Sequence, residues 1–371
     1  MNHPALEIDY DPSDELKLRY ELLCQQHPNL RSREAAKRLN VTEAELLASC
    51  ANDTSFHLMN HPEALLSALQ TVGEVLIVTR NESVILEKKG TFKDLVFDTQ
   101  NGFKILKSDS LGLHLLLNSC RYTFLVIEEK HIGHRKSLQF FDRHGQAVQK
   151  IYLTQNSNEQ AFEKIITRFI SSYQPTYLDI SKDETDKQSA SKQQATKWPA
   201  LSEGGQTMQS SHDFFKLLIG RNVSRQQAYD NVGRDLAYEI VPSALQPLCE
   251  MAKQDNISLT FAVGNSACMQ FHSGPVDKAG EHGQWFNMLN SDFNLYTNSH
   301  RITQAWVVRK PQQGNPITLI EFFDDQDHLA LQITATNKPD IPESSQWREL
   351  VAQLPPRSLA VSALNTHDAA S

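Results

Sequence analysis

An internal repeat constrains the fold of this 371-residue chain more than any other feature of its sequence. The repeated segments are Leu76–Gly90 with Leu259–Gly274, Lys107–His114 with Asn290–Tyr296, and Phe140–Tyr152 with Phe322–Thr334. Asn81 and Asn265 occupy matching positions in the first pair. A repeat offset of roughly 180 residues is too long for a solenoid unit and indicates two duplicated domains.

The strand signals in both copies are short runs of β-branched and aromatic residues separated by tight turns, such as E-V-L-I-V-T-R-N and Y-T-F-L-V-I-E-E. Successive short strands of this kind predict an antiparallel meander, and helical patterns lie on either side of it. We therefore predict an α+β fold of two tandem similar halves, each a large antiparallel β-sheet packed with helices. We also expect a ligand cleft between the halves, because binding sites favour domain interfaces.

A polar stretch of low complexity, Asp179–Lys197, separates the two copies. It contains almost no residue that a core would bury, so it is predicted to be a flexible linker. The predicted domains are an N-terminal repeat at 1–178, a linker at 179–205, a C-terminal repeat at 206–356 and a disordered tail at 357–371.

Composition and charge argue against several functional classes. The net charge of −8 disfavours broad binding to nucleic acid or to an anionic membrane. No run approaches the roughly 18 apolar residues of a membrane span, and the N-terminus lacks the pattern of a signal peptide. The cysteines Cys24, Cys50, Cys120, Cys249 and Cys268 form no C-x-x-C pair, which is typical of reduced thiols. We expect a soluble cytoplasmic protein.

The segment Arg31–Ser49 matches the pattern of a helix-turn-helix. A second helix that reads DNA is usually basic, whereas this one opens with Glu43 and Glu45. We therefore favour a helical packing layer, and a regulatory DNA-binding role is the least supported of the functional hypotheses.

One histidine lies at the start of a predicted helix. Ser210 and Ser211 are good N-cap residues, and the apolar residues after His212 have helical spacing. A helix N-terminus disfavours the imidazolium, so His212 is expected to stay neutral and keep a lone pair. With Arg221 and Arg225 following, a neutral imidazole suits an iron porphyrin, whose carboxylates pair with arginines. The residues alone leave open the alternative of a solvated first-turn histidine.

Four motifs occur in one order along the chain. They are S-H-D-F-F-K-L-L at Ser211–Leu218, R-Q-Q-A-Y at Arg225–Tyr229, A-W-V-V-R-K-P at Ala305–Pro311 and S-L-Q-F-F-D at Ser137–Asp142. Together they resemble the HemS/ChuS family of bacterial cytoplasmic haem-utilisation proteins, the haemin-degrading factors. The resemblance covers about Leu16 to Leu354.

The resemblance implies a haem b site in the second repeat. His212 matches the family's proximal iron ligand, and Arg225 and Lys310 fall where the family places cationic contacts to the propionates. Arg309 and Arg221 are further candidates for those contacts. The alternative for each cation is a solvated charge at the end of a strand or helix.

The sequence departs from the family on the distal side of the haem. A segment that reads L-D-L-R in the ChuS type reads L-G-L-H here, so His114 replaces an arginine. A histidine in that place would ligate the iron directly, whereas a strand histidine satisfied by hydrogen bonds or solvent is the alternative. Thr334 and Asn337 stand where the family often has Tyr and Arg, and Lys338 is a candidate to restore the lost charge.

The resemblance supports two functions. The first is haem degradation with His212 and His114 at the iron, in which oxygen and an electron donor open the porphyrin ring and iron is released. The alternative is a non-enzymatic haem carrier with bis-histidine ligation, which exchanges haem with an importer or an acceptor protein. Haem is the expected partner in both cases, and nucleic acid is not.

Overall fold

The computed structural model describes residues 12–28, 30–100, 102–129, 133–180, 224–310, 317–336 and 342–357. The helices along these residues are α1 (Pro12–Gln26), α2 (Ser32–Leu39), α3 (Glu43–Ser49), α4 (Pro62–Ala68), α5 (Glu159–Phe169), α6 (Arg225–Asn231), α7 (Leu245–Gln254) and α8 (Ser345–Ala352). Short 3-10 helices cover Leu69–Thr71, Leu117–Ser119, Pro242–Ala244 and Ser299–Arg301. None of these described helices has the length and apolar character that crossing a bilayer requires.

The strands are β1 (Ser55–His57), β2 (Gly73–Arg80), β3 (Val84–Thr91), β4 (Val96–Gln100), β5 (Phe103–Ser108), β6 (Leu113–Leu116), β7 (Tyr122–Glu129), β8 (His134–Phe141), β9 (Ala147–Ser157), β10 (Ala237–Ile240), β11 (Leu259–Gly264), β12 (Cys268–Gly274), β13 (Ala279–His282), β14 (Trp285–Leu289), β15 (Phe293–Asn298), β16 (Ile302–Lys310), β17 (Ile317–Asp324) and β18 (Leu329–Ala335).

The chain forms two compact units that are each discontinuous in sequence. Unit 1 contains the described parts of Met1–Ile77, Thr91–Leu106 and Leu116–Lys182, and unit 2 contains those of Val78–Gly90, Lys107–Leu115 and Asp183–Ser371. Two segments of the first repeat therefore pack with the second repeat in unit 2. The predicted linker lies almost entirely outside the described residues, so the domain boundaries at 178 and 206 remain predictions.

Unit 1 combines an antiparallel sheet with a layer of helices. Its main strand run is β1-β7-β8-β9-β2, and α3 packs Ala44 and Leu47 against Phe124 and Phe141 of these strands. Six of the seven residues of α3 are buried. Because a recognition helix must present side chains to a DNA groove, this burial confirms that α3 belongs to a packing layer.

Unit 2 contains two antiparallel strand runs, β10-β16-β17-β18-β11-β12-β6 and β3-β15-β14-β13. The core lies on one face of the longer run, where Phe261, Ile320 and Ile333 pack with Leu248 of α7 and Trp347 of α8. These apolar side chains alternate along their strands with residues that project from the opposite face. That opposite face carries the polar residues discussed below.

The first repeated pair forms two hairpins with the same turn. In each turn the asparagine Oδ1 accepts hydrogen bonds from two backbone N–H groups of its own hairpin. The side-chain amides also cross between the hairpins, since Asn81 donates to the Gly264 carbonyl at 3.2 Å and Asn265 donates to the Arg80 carbonyl at 3.3 Å. The aligned asparagines therefore have equivalent structural roles within unit 2.

The last repeated pair also forms matching turns. Asp142 just after β8 and Asp324 at the end of β17 each accept from the backbone N–H groups two and four residues later, at 2.9 to 3.0 Å. Both strand pairs shift register at the phenylalanine just before the aspartate. The predicted α+β fold of tandem halves with antiparallel sheets and packed helices is confirmed.

Candidate functional site

Five of the predicted site residues are described by the structure. Those outside the described residues are His212 and Arg221, together with Asn337 and Lys338. The described ones, all in unit 2, are His114, Arg225, Arg309, Lys310 and Thr334.

Strand register brings three of these residues to one face of the longer strand run in unit 2. Directly opposite residues of an antiparallel pair project from the same face. The pairings that define the face are His114 with Met269, Phe271 with Ala262, Ala262 with Gln332, Gln332 with Glu321, and Glu321 with Trp306. Thr334 lies two residues after Gln332 on β18, and Lys310 lies four residues after Trp306 on β16. Because residues an even number apart on a strand project from the same side, both share the face. We call it the His114 face.

A buried carboxylate organises the polar part of the His114 face. Glu321 on β17 has 0% exposure and accepts five contacts from four side chains. The Tyr229 hydroxyl donates to Oε2 at 2.6 Å, and the Gln332 amide donates to Oε1 at 3.0 Å. The Arg225 guanidinium donates at 3.1 Å to Oε1 and at 3.3 Å to Oε2, and the Lys310 ammonium donates to Oε1 at 3.3 Å. We call these five residues the Glu321 cluster.

The electrostatics of the Glu321 cluster favour charged groups in spite of burial. Burial acts to raise the pKa of the Glu321 carboxyl, but Lys310 and Arg225 outweigh it and hold this pKa below its usual value. Burial lowers the pKa of Lys310 to about 8, although the Glu321 carboxylate opposes the loss of its proton. The cluster therefore contains a carboxylate, a guanidinium and a largely protonated amine near pH 7.

Helix α6 delivers two members of the cluster from the R-Q-Q-A-Y motif. Ser224 and Gln227 form a reciprocal capping box that fixes the start of α6. Arg225 follows the cap, and Tyr229 lies four residues later on the same side of the helix. Tyr229 also packs against Trp306, with ring centroids 5.6 Å apart. The capped turn thus directs both side chains at Glu321.

His114 lies at the opposite end of the face, on β6. Its ring meets the Phe271 ring edge-on, with centroids 5.0 Å apart. Burial, with a smaller contribution from Lys107, lowers the pKa of His114 to about 4. The imidazole is therefore neutral at pH 7 and keeps a lone pair that can bind a metal.

Gly112 allows β6 to approach β12 closely. Its φ is +60°, and a Cβ at this position would lie 2.2 Å from the Phe271 carbonyl oxygen. A side chain would both strain the backbone and push the strands apart. The glycine in L-G-L-H is thus required by the geometry that holds His114 beside Phe271.

The structure separates Arg309 from the other predicted cations. Because neighbouring strand residues project to opposite faces, Arg309 points away from Lys310. Its Nη1 donates to the Asp235 carbonyl at 3.0 Å, and its guanidinium lies 5.6 Å from the Tyr238 ring centroid. Thr334 does lie on the His114 face, where its hydroxyl donates to the Thr318 carbonyl at 3.1 Å.

Sequence reasoning missed three members of the cluster, Glu321, Tyr229 and Gln332. Tyr229 stood inside a motif that was used only for its arginine. Glu321 carried a usable signal, because it is an acidic residue within the apolar strand run I-T-L-I-E-F-F. A carboxylate at a buried strand position requires cationic partners, which directs attention to nearby arginines and lysines.

Comparison with known proteins identifies the family. Residues 40–169 and 222–354 match the model of the haemin-degrading HemS.ChuX domain. The chain belongs to this family. The matched stretches correspond to the two repeats, and the resemblance inferred from the four motifs is confirmed.

Curated relatives match along nearly their whole length. The hemin transport protein HmuS of Yersinia pestis is 32% identical over 338 residues, which cover 90% of this chain and 96% of the relative. The hemin transport protein HemS of Yersinia enterocolitica is 32% identical over 337 residues, which cover 90% and 95%.

Solved structures show the same fold at full length. Holo-PhuS, a heme-binding protein from Pseudomonas aeruginosa, superposes with a TM-score of 0.82 at 30% identity, covering 93% of this chain and 100% of its own. The heme degrading enzyme ChuS of Escherichia coli O157:H7 gives a TM-score of 0.79 at 31% identity, with the same coverage.

Proposed function

We propose that this protein binds haem at the His114 face of unit 2 and degrades it in cytoplasmic haem-iron utilisation. Relatives of similar length are named as hemin transport proteins, a heme-binding protein and a heme oxygenase. The observation that carries the proposal is the Glu321 cluster, which holds two cations on the face that bears a neutral histidine.

The residues of the face fit the chemistry of haem. Haem combines an apolar ring, two carboxylates and an iron that takes a neutral nitrogen ligand. Phe271 offers apolar surface, Arg225 and Lys310 offer cations for a carboxylate, and His114 offers a nitrogen lone pair. Bound haem would supply the oxygen-activating iron once an electron donor reduces it. His212 remains the proposed proximal ligand, outside the described residues.

The two candidate functions require different roles of His114. In an oxygenase the distal residue must leave a coordination position for oxygen. A neutral histidine can instead bind the iron and close that position, which favours a carrier that exchanges haem with an importer or acceptor protein. The neutral state of His114 is the observation that supports this second candidate.

A haemin titration of the full-length protein tests the site. We expect saturable binding that His212→Ala abolishes. A high-spin or water-ligated Soret spectrum of the wild-type protein supports the oxygenase, because a position at the iron is then open to oxygen. A low-spin spectrum that His114→Ala converts to a high-spin or water-ligated form supports the carrier, because His114 is then the sixth ligand. His61→Ala, at an exposed position of unit 1, is the matched control and should leave the spectrum unchanged. Binding that does not saturate, or that His212→Ala leaves intact, would overturn the proposed site.

A turnover assay then separates degradation from transport. The haemin complex is mixed with ascorbate, oxygen and catalase, and the Soret band and the released iron are followed. Loss of the Soret band with stoichiometric iron release supports degradation. If His114 occupies the sixth coordination position of the iron, His114→Ala should accelerate this loss. A wild-type complex that persists under these conditions would reject degradation and favour the carrier.

A further inference from the structure

We infer that Glu321 is a positioning residue for ligand carboxylates, because it holds the Arg225 guanidinium and the Lys310 ammonium together as one recognition pair on the His114 face. The inference rests on the proposed function, since the carboxylates it concerns are those of a bound porphyrin.

The hydrogen-bond geometry supports this role. Arg225 and Lys310 both donate to the same oxygen, Oε1, so their nitrogens lie within the span of two hydrogen bonds of each other. The Tyr229 hydroxyl and the Gln332 amide fix the carboxylate from other directions. With donors on both oxygens, the Glu321 side chain has no freedom to rotate without breaking contacts. Its position therefore sets the positions of both cations.

Burial explains why the two cations need a carboxylate between them. The Lys310 side chain is 6% exposed and the Arg225 side chain is 18% exposed, so water screens their charges poorly. The two positive charges therefore repel each other more strongly than they would in water. Glu321 offsets this repulsion and helps Lys310 to stay protonated. Without Glu321 the pKa of Lys310 would fall further below its usual value, and the guanidinium would lose the carboxylate that it contacts. The partly exposed edge of Arg225 is where a ligand carboxylate can reach the pair.

The first repeat provides an internal comparison. Helix α3 begins with the same kind of capping box as α6, but Glu43 occupies the first helical position that Arg225 occupies in α6. The strand position of Glu321 is taken by Gln139, and Glu43 instead pairs with Lys150 of the sheet. In both repeats a buried ion pair joins the capped helix to the sheet. The helix carries the negative charge in unit 1 and the positive charge in unit 2.

This reversal separates the structural role from the recognition role. An ion pair that only attached the helix to the sheet would do so with the negative charge on either element, since unit 1 has the carboxylate on the helix. The sign in unit 2 places the guanidinium on the helix and the carboxylate beneath it. Only that arrangement presents cations on the His114 face, so the carboxylate preference is expected to depend on Glu321 and not on Glu43.

The test compares haemin with haemin dimethyl ester, which lacks the two free carboxylates. Dissociation constants are measured by Soret titration of the full-length protein. A charge-assisted contact is worth roughly a tenfold change in affinity or more, so the wild-type protein should bind haemin about 10- to 100-fold more tightly than the ester. In Glu321→Gln this preference should fall to within about threefold, with the affinity for the ester preserved.

The matched control is Glu43→Gln, the same exchange in the ion pair of unit 1. It should keep the wild-type preference for haemin over the ester. If Glu321→Gln fails to fold, as judged by circular dichroism, Glu321→Asp is measured instead: it keeps the negative charge but shortens its reach to Arg225 and Lys310, so a positioning role predicts a reduced preference for haemin over the ester.

Three outcomes have distinct meanings. A wild-type protein that binds neither compound would overturn the proposed function. A variant that keeps the wild-type preference, or that weakens haemin and ester by the same factor, would show that Glu321 has only a structural role. Loss of preference in the Glu321 variant, with the Glu43 variant unchanged, is the result that supports the inference.

Discussion

The neutral state of His114 predicts how the protein responds to acid. The pKa of this imidazole is about 4 in the folded protein, against an ordinary value of 6.5, chiefly because burial disfavours the charge. Well above pH 6.5 the ring is neutral in both states, so His114 contributes nothing there to the pH dependence of stability. Between pH 6.5 and 4 mainly the unfolded chain takes up the proton, so the free energy of unfolding falls as the pH falls.

The size of the effect follows from these two pKa values. Proton binding by the unfolded chain lowers the stability of the fold by about 2 kcal/mol at pH 5, and by about 3 kcal/mol in the limit of low pH. His272 should contribute a similar amount, because burial lowers its pKa to about 4. Its ring stacks on the Phe293 ring, with centroids 3.7 Å apart. Replacing His114 should remove only its own share.

Urea unfolding at pH 7.5 and pH 5, followed by circular dichroism, measures this share. We expect the loss of stability between the two pH values to be about 2 kcal/mol smaller in His114→Gln than in the wild-type protein. His61→Gln, at an exposed position, is the control and should reproduce the wild-type loss. If His114→Gln loses as much stability as the wild-type protein, the imidazole is not kept neutral by the fold, and its availability to a metal loses its physical basis.

Two further predictions concern backbone geometry. Gly112→Ala should destabilise the protein by about 1–3 kcal/mol more than Gly133→Ala in urea unfolding, because both glycines have positive φ but only the first would place a Cβ against the Phe271 carbonyl. Equal effects would show that backbone strain alone accounts for the loss. Asn81→Ala should lower the free energy of unfolding by about 2–4 kcal/mol, because it removes two hydrogen bonds that the side chain accepts and two that it donates within unit 2. Asn118→Ala, which removes one exposed hydrogen bond, should lower it by less than about 1 kcal/mol. Similar costs for the two would contradict the importance of the crossing amides.

The sequence predicted those parts of the fold that depend on local signals. The turns at Asn81 and Asn265 could be predicted from the sequence, because asparagine side chains accept backbone hydrogen bonds in tight turns and the two residues occupy matching positions in the repeat. The strands around them were readable from their β-branched residues. The packing of Val78–Gly90 and Lys107–Leu115 within unit 2 was not, because pairing between strands far apart in sequence leaves no local pattern.

The site was predicted less completely than the fold. Strand alternation already implied that Arg309 and Lys310 cannot share a face, and applying it would have removed Arg309 from the site. The identity of the carboxylate partner could not be obtained in that way. It depends on the register of β16 with β17 and on the path of the chain into α6, which brings the R-Q-Q-A-Y helix over Glu321.

The crossing asparagines have a consequence for the assembly of the chain. Asn81 contacts the residue before Asn265, and Asn265 contacts the residue before Asn81, which is the pattern of an isologous dimer interface. The same two contacts would join two identical single-repeat molecules, and in this chain they join two segments of one molecule. Because β6, which carries His114, pairs with β12 of the second repeat, a ribosome must synthesise most of the chain before that face can form. Chains that end before β12 should therefore lack the strand pairing that places His114 on this face.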